Sequence, residues 1–332
     1  MIPVRRFLFF VALVAMQPGA LMAAEDNPVP FEKWLEGIRA DAMERGFSAS
    51  TVRALDGLTR DERVIGFDRR QPEFTQTFDE YLTARVSKSR IDTARRLYRE
   101  HRDSLEKIAQ HYGIDAEFLV AFWGLESSFG RYQGKYSVVR SLATLAHDPR
   151  RSRFFTRELM SALQILDEGH IEPENFVGGW AGAMGQNQFI PSSFLNYAQD
   201  FDGDGKKNIW NNQDDVWASI AYYLSKNGWR AGKGWGSRVE LPEALTATPD
   251  PKPRSGCRAY RYHSTRKSLQ SWEADGVVLD RSVIDGQYAL LVPEPGDSNY
   301  LVGGNFGAIL SYNCANKYAV SVGLLADLIV DR

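Results

Sequence analysis

Glu126 carries the clearest chemistry in the chain. It closes the apolar run Phe118-Leu119-Val120-Ala121-Phe122-Trp123-Gly124-Leu125, and on a helix it shares a face with Leu119, Phe122 and Trp123. Asp115 stands where an N-cap would open that helix. A carboxylate among apolar side chains loses hydration, which disfavours its charge and raises its pKa. A general acid that protonates a glycosidic oxygen needs that property. The opposing reading is a structural Glu paired with Arg131 or Arg140. Ser127-Ser128-Phe129-Gly130 then ends the helix with small residues and a glycine, leaving Glu126 at an end where a cleft can open.

Two further stretches offer ligating groups. Gly178-Gly179-Trp180-Ala181-Gly182-Ala183-Met184-Gly185-Gln186-Asn187-Gln188-Phe189-Ile190-Pro191-Ser192-Ser193 combines backbone that can approach a ligand with amides suited to sugar hydroxyls and acetamido groups. Its glycine spacing matches neither a P-loop nor a dinucleotide fingerprint. A plain connector would not need Gln186, Asn187 and Gln188. Downstream, Asp200, Asp202 and Asp204 alternate before Gly205, which is how an EF-hand calcium loop opens, although position twelve holds Asn211 instead of Glu. The opposing reading is a metal-free turn, against which stands the mutual repulsion of three close carboxylates. The histidines (His101, His111, His147, His170 and His263) show no metal spacing and no Ser-His-Asp order, and are assigned to surface or packing.

The elements that must position these groups are mostly helical. Trp34, Leu35, Ile38 and Ala42 recur at helical spacing with Gly46 closing the helix, and residues 77–112 continue in helices. From Val239 to Val302, prolines punctuate the chain, and Tyr260-Arg261-Tyr262 and Tyr288-Ala289-Leu290-Leu291-Val292 read as strands. Helical pattern returns from Tyr318 to Ile329. Among 332 residues, 40 Lys+Arg against 42 Asp+Glu exclude a basic, nucleic-acid-binding protein, and 12% aromatic residues suit a groove that stacks on sugar rings. Arg5 and Arg6, the apolar run to Met16 and the small exit Ala20, Ala23 and Ala24 describe a secretory signal peptide over residues 1–24. A membrane span would need roughly 20 apolar residues. The mature chain, with 38 basic and 42 acidic residues, is then exported to the periplasm as a soluble protein without a membrane anchor. Export favours bonding the only two cysteines, Cys257 and Cys314, over leaving two free thiols.

Trp123-Gly124-Leu125-Glu126-Ser127-Ser128-Phe129-Gly130, Trp180-Ala181-Gly182-Ala183-Met184-Gly185 and Gln188-Phe189-Ile190-Pro191-Ser192-Ser193 together resemble the lytic murein transglycosylase B family, and the similarity runs on to Tyr312-Asn313 and Tyr318-Ala319. The resemblance implies a mainly α (α+β) fold. A helical domain (25–110) would precede a lysozyme-like core (111–238) with an EF-hand-like loop at 200–214. A small β-rich insert (239–302) and a returning C-terminal segment (303–332) would complete it. It implies cleavage of the N-acetylmuramic acid–N-acetylglucosamine bond of peptidoglycan strands with formation of a 1,6-anhydromuramic acid end. By matching position, Glu126 is the single catalytic acid/base. Gln188, Phe189, Asn313, Tyr318 and Tyr81 match groove residues. A structural Ca²⁺ would be held by Asp200, Asp202, Asp204 and Asp214 and by the carbonyl of Lys206. The chain departs from the family at Gly179 and Ala315, where the family has Ser. Two other functions stay open: a hydrolytic muramidase using a second carboxylate, and a non-catalytic, calcium-stabilised glycan-binding module.

Overall fold

The computed structural model describes residues 29–70, 76–243, 245, 248–250, 256–291 and 297–330. The signal segment expected at 1–24 lies outside them. In chain order the helices begin with α1 (Phe31–Glu44), α2 (Ala49–Val52), α3 (Glu62–Arg70), α4 (Phe78–Arg85), α5 (Lys88–Glu100), α6 (Arg102–Tyr112) and α7 (Ala116–Ser127). Strand β1 (Tyr136–Ser137), α8 (Val138–His147), α9 (Ser152–Asp167), β2 (Val177–Gly178), α10 (Pro191–Tyr197) and α11 (Gln213–Lys226) follow. The remainder is β3 (Gly236–Glu240), β4 (Lys267–Ser268), α12 (Leu269–Ala274), β5 (Val278–Leu279), β6 (Gln287–Leu291), β7 (Asn299–Val302), α13 (Phe306–Tyr312) and α14 (Asn316–Ile329). No helix among the described residues is long and apolar enough to cross a membrane.

The chain divides into two compact units, with the divisions falling inside α7, between Leu125 and Glu126, and inside α11, between Ser219 and Ile220. The first unit takes in the described residues up to 70 together with 126–219. Its centre is α8, whose Val138, Val139, Leu142, Leu145 and Ala146 are all buried, packed on Leu159, Leu163 and Leu166 of α9. Ser137 starts α8 by accepting the Arg140 N–H at 3.3 Å. Leu35, Ile38 and Ala42 of α1 are buried at helical spacing as the sequence predicts, with Phe31 joining them and Trp34 only half-buried. His147 packs edge-on to Phe31 and Trp34.

The second unit holds residues 76–125 and the described residues from 220 onward. An antiparallel sheet in the order β4-β6-β7-β3-β5 packs Leu290 and Leu301 against Trp272 of α12, whose indole N–H donates to Tyr288 O at 2.9 Å. Thr77 and Glu80 form a reciprocal capping box on α4. Tyr288–Leu291 is strand as expected, but Tyr260-Arg261-Tyr262 is not. It belongs to a 3₁₀ turn, Arg258–Tyr262, closed by Tyr260 N–H to Cys257 O and His263 N–H to Tyr260 O. These local bonds outweigh the aromatic bias toward strand; Cys257, just before the turn, is bonded to Cys314 with Cα atoms 5.6 Å apart.

Candidate active site

Glu126 sits one residue before the end of α7, half-buried, and Leu119, Phe122 and Trp123 on its helix face are all buried. The chain then leaves the helix through three successive left-handed residues, Ser128 (φ 51°), Phe129 (φ 61°) and Gly130 (φ 79°). Two non-glycine residues in that region cost free energy that a mere helix stop, needing only one glycine, would not incur. Ser127 Oγ accepts the Gly130 N–H at 3.0 Å and fixes the turn. Glycine suits this left-handed backbone, and a Cβ here would also press on the end of the Gln186 side chain. The arginines weighed as structural partners are engaged elsewhere: Arg131 Nε donates to Ser128 O and Arg140 to Thr59 O and Oγ1. Asp115 directs its carboxylate to Trp229 Nε1 and the Gly232 N–H.

The three amides of the glycine-rich loop divide their work. Gln186 donates to Trp210 O at 2.9 Å and Asn187, fully buried, to Val216 O at 2.9 Å. The donor nitrogens of these two fasten the loop to its neighbours. Gln188 also bonds within the loop, from a strained backbone. Its backbone is left-handed (φ 52°) and its Nε2 donates to Gly185 O at 2.9 Å and Gln133 O at 3.3 Å. Its Oε1 is buried, and no donor reaches it among the described residues. A buried acceptor without a donor costs free energy unless a ligand supplies one. Phe189 is buried and its carbonyl accepts the Met184 N–H at 2.8 Å, which closes the loop into a tight bridge.

Glu126, Gln188 and Phe189 thus belong to the first unit. Tyr81, Asn313 and Tyr318 belong to the second, all three buried. There the Tyr318 ring lies 6.2 Å from Phe122, which also meets Tyr312 at 4.8 Å. Arg85 lies over the Tyr81 ring at 5.2 Å. Ala315 occupies the N-cap of α14 with extended backbone and no side-chain cap bond.

In the acidic loop, Asp200, Asp202 and Asp204 converge so that ligand oxygens from all three lie within 4.8 Å of one another. Asp200 accepts the N–H groups of Gly203, Asp204 and Gly205, which wraps the backbone around its carboxylate. Hard oxygen donors converging in this way suit a cation such as Ca²⁺. Asp214, assigned to the same ion by resemblance, is not part of this cluster; its N–H donates to Asn212 Oδ1 at the start of α11. Its neighbour Asp215 does the unexpected work. Fully buried, it accepts the Phe201 and Asn208 N–H groups, each at 2.7 Å. The only sequence signal for it was an acid at the start of an amphipathic helix.

Residues 30–327 match the model of the transglycosylase SLT domain. The chain belongs to that family. It is 30% identical over 236 residues to the membrane-bound lytic murein transglycosylase B of Escherichia coli K12, an alignment covering 70% of this chain. The aligned stretch is 62% of that relative, so the chain spans less than two thirds of its length. Among solved structures it is similar to SltB3 of Pseudomonas aeruginosa in complex with NAG-NAM-pentapeptide, with 38% identity and a TM-score of 0.82, over 91% of this chain and 80% of that one. It is similar as well to the Escherichia coli lytic transglycosylase Slt35 in complex with calcium, with 26% identity and a TM-score of 0.74, over 89% of this chain and 92% of that one. The mainly helical α+β architecture is therefore that of the lytic transglycosylases.

Proposed function

We propose that this protein is a lytic transglycosylase that cleaves the N-acetylmuramic acid–N-acetylglucosamine bond of peptidoglycan and leaves a 1,6-anhydromuramic acid end. The observation that carries the reading is Glu126, half-buried at the end of an apolar helix in a chain of the transglycosylase family. Glu126 protonates the departing glycosidic oxygen while the substrate's 2-acetamido group supports the developing charge at C1. Ionised Glu126 then takes the proton from the muramic acid C6 hydroxyl, which attacks C1 of the same sugar. An internal nucleophile has a high effective concentration and needs no enzymic nucleophile. A retaining hydrolase needs a second carboxyl group about 5 Å away. The segments 127–147 and 176–199, which build the loops after Glu126 and around Gln188, contain no Asp or Glu. The roles of Gln188, Phe189, Tyr81, Asn313 and Tyr318 as groove residues belong to the same proposal, as do a periplasmic location after removal of residues 1–24 and a structural Ca²⁺ on Asp200, Asp202 and Asp204.

Digestion of purified sacculi in oxygen-18 water tests the chemistry. The new muramic acid ends should carry no heavy isotope and should have the mass of the anhydro sugar. Labelled reducing ends as the main product would mean hydrolysis. Binding to sacculi without cleavage would leave only a glycan-binding module.

A further inference from the structure

Tyr136 opens β1, paired with Gly178 of β2, and its ring is half-buried. The ring meets Phe67 of α3 edge-on, with centroids 6.1 Å apart, and Phe67 in turn lies 6.2 Å from Trp180. An aromatic row therefore runs from β1 to the glycine-rich loop that carries Gln188. The guanidinium of Arg63 lies over the outer ring, 5.7 Å from the Tyr136 centroid. Such an arginine would ordinarily sample many rotamers, since 69% of its side chain is exposed. Asp61 prevents this. Buried, and with its own N–H donated to Thr144 Oγ1, Asp61 accepts Arg63 Nε at 3.0 Å and Nη2 at 2.7 Å. The bonds from Arg63 hold the Asp61 carboxyl below its ordinary range, so the pair stays charged. The third nitrogen, Nη1, takes no part in either bond, so a fixed, solvent-facing cation stands over an aromatic ring.

Apart from Asp61, the segment that carries Tyr136 adds only base. The chain as a whole carries more acid than base, yet residues 127–147 hold three Lys or Arg and no acid. Lys135, next to Tyr136, is exposed, and the nearest acid on α3, Glu62, is paired with Arg60 at 3.1 Å. Sugar rings are neutral. On a peptidoglycan strand the negative charge is carried by the carboxylates of the peptide on muramic acid. A pre-ordered guanidinium over a ring whose neighbour in the chain is an exposed lysine suits a carboxylate, and the aromatic face suits the apolar part of a peptide or sugar.

We propose that Arg63, Lys135 and Tyr136 form a subsite that binds a carboxylate of the peptide borne by muramic acid, with the Tyr136 ring as its apolar floor. The proposal rests on the glycan-cleaving reading above and extends it to the peptide. Arg63 acts with its orientation already set by Asp61, so little rotamer entropy is lost on binding. The test is titration of the full-length protein with N-acetylglucosaminyl-N-acetylmuramyl pentapeptide, with the peptide carboxylates free and with them amidated. Amidation should weaken binding to the wild type about tenfold, as expected for loss of one charge-assisted pair. In Arg63→Gln the free and amidated ligands should bind alike, and in Lys135→Gln, whose exposed side chain puts no fold at risk, the gap should narrow. Equal binding of the two ligands to the wild type would overturn the subsite, and so would an undiminished gap in both variants. Product masses from sacculi read the chemistry separately: anhydro ends without carboxylate dependence would sink the subsite alone.

Discussion

Asp215 accepts the Asn208 N–H at 2.7 Å with one carboxylate oxygen, while the other holds the Phe201 N–H at the same distance. A fully buried acid thus clasps both ends of the loop that carries Asp200, Asp202 and Asp204. Burial pushes its carboxyl pKa up, with the charges of Asp202 and Asp200 adding to the rise and the two backbone bonds opposing it. The clasp fixes the loop ends, so the three exposed or half-buried aspartates are held together against their own repulsion.

A cation on those aspartates should stabilise the fold by mass action. At a free concentration one hundred times the dissociation constant the gain is about 2.7 kcal/mol. The melting temperature of chelated protein should therefore rise on adding millimolar Ca²⁺, and Asp202→Ala should lose most of the increment. A melting curve that calcium leaves unmoved would remove the metal from the picture.

The place of Glu126 near the end of an apolar helix and the convergence of the alternating aspartates were legible in the sequence because each depends on residue type and short spacing, and the cysteine pair because there are only two cysteines. The division of labour among Gln186, Asn187 and Gln188 was not. It depends on which carbonyls the loop meets after folding, Trp210 O and Val216 O, both supplied by residues more than twenty positions away. Asp214 and Asp215 are likewise equivalent on paper. Helix phase makes one a buried clasp and leaves the other half-exposed. The 3₁₀ turn at Arg258–Tyr262 was misread as strand for a similar reason, since its alternating aromatic pattern says nothing about which nearby carbonyls, Cys257 O and Tyr260 O, its N–H groups meet after folding.

That bond closes a loop with a sequence separation of 57. In the chain-entropy picture it contributes about 4 kcal/mol. Thiol labelling of denatured, unreduced protein should find no free cysteine, and Cys314→Ser should lower the unfolding free energy extrapolated from urea denaturation by a matching amount. Two labels per chain would refute the pairing.

Glu158 of α9 is buried and accepts the Ser192 N–H at 2.9 Å and Oγ–H at 2.8 Å, which anchors the start of α10 just past Phe189. Burial pushes its pKa up, and the Ser192 bonds only partly oppose this. With the folded value above the ordinary 4.5, its stabilising contribution is whole below 4.5 and is lost as pH rises through the raised folded value. Glu158→Gln does not titrate. The stability of the variant relative to the wild type should therefore increase as pH rises from 4.5 through the raised folded value. Denaturation midpoints that keep a constant gap, or close it in the opposite sense, would contradict the assignment.

Ala315 sits at the N-cap of α14 with φ −140° and ψ 121°, a conformation suited to a capping side chain, yet it has none to offer. Ala315→Ser should stabilise the protein by about 1 kcal/mol. Thermal melting of the two proteins side by side would reveal the gain, and an unchanged midpoint would mean that the helix start is satisfied in another way.

Gly179 poses the sharper case, because its missing side chain borders a buried amide oxygen, Gln188 Oε1, that lacks a donor among the described residues. A Cβ built there meets only ordinary contacts, with Ala183 Cβ, Ala183 O and Gln188 Oε1 each at 3.7 Å, and the backbone is not left-handed. Either Ala or Ser is therefore accommodated, and each should stabilise by about 0.4–1 kcal/mol through the unfolded chain alone. Only Ser brings a hydroxyl, and from that Cβ it can reach Gln188 Oε1, buried with no donor among the described residues. Gly179→Ser should thus exceed Gly179→Ala by about 1 kcal/mol, the net worth of satisfying a buried acceptor. Urea midpoints of wild type, Gly179→Ala and Gly179→Ser measure the difference directly. If Ser gains nothing over Ala, Gln188 Oε1 already has its donor, and its availability to a ligand falls with it.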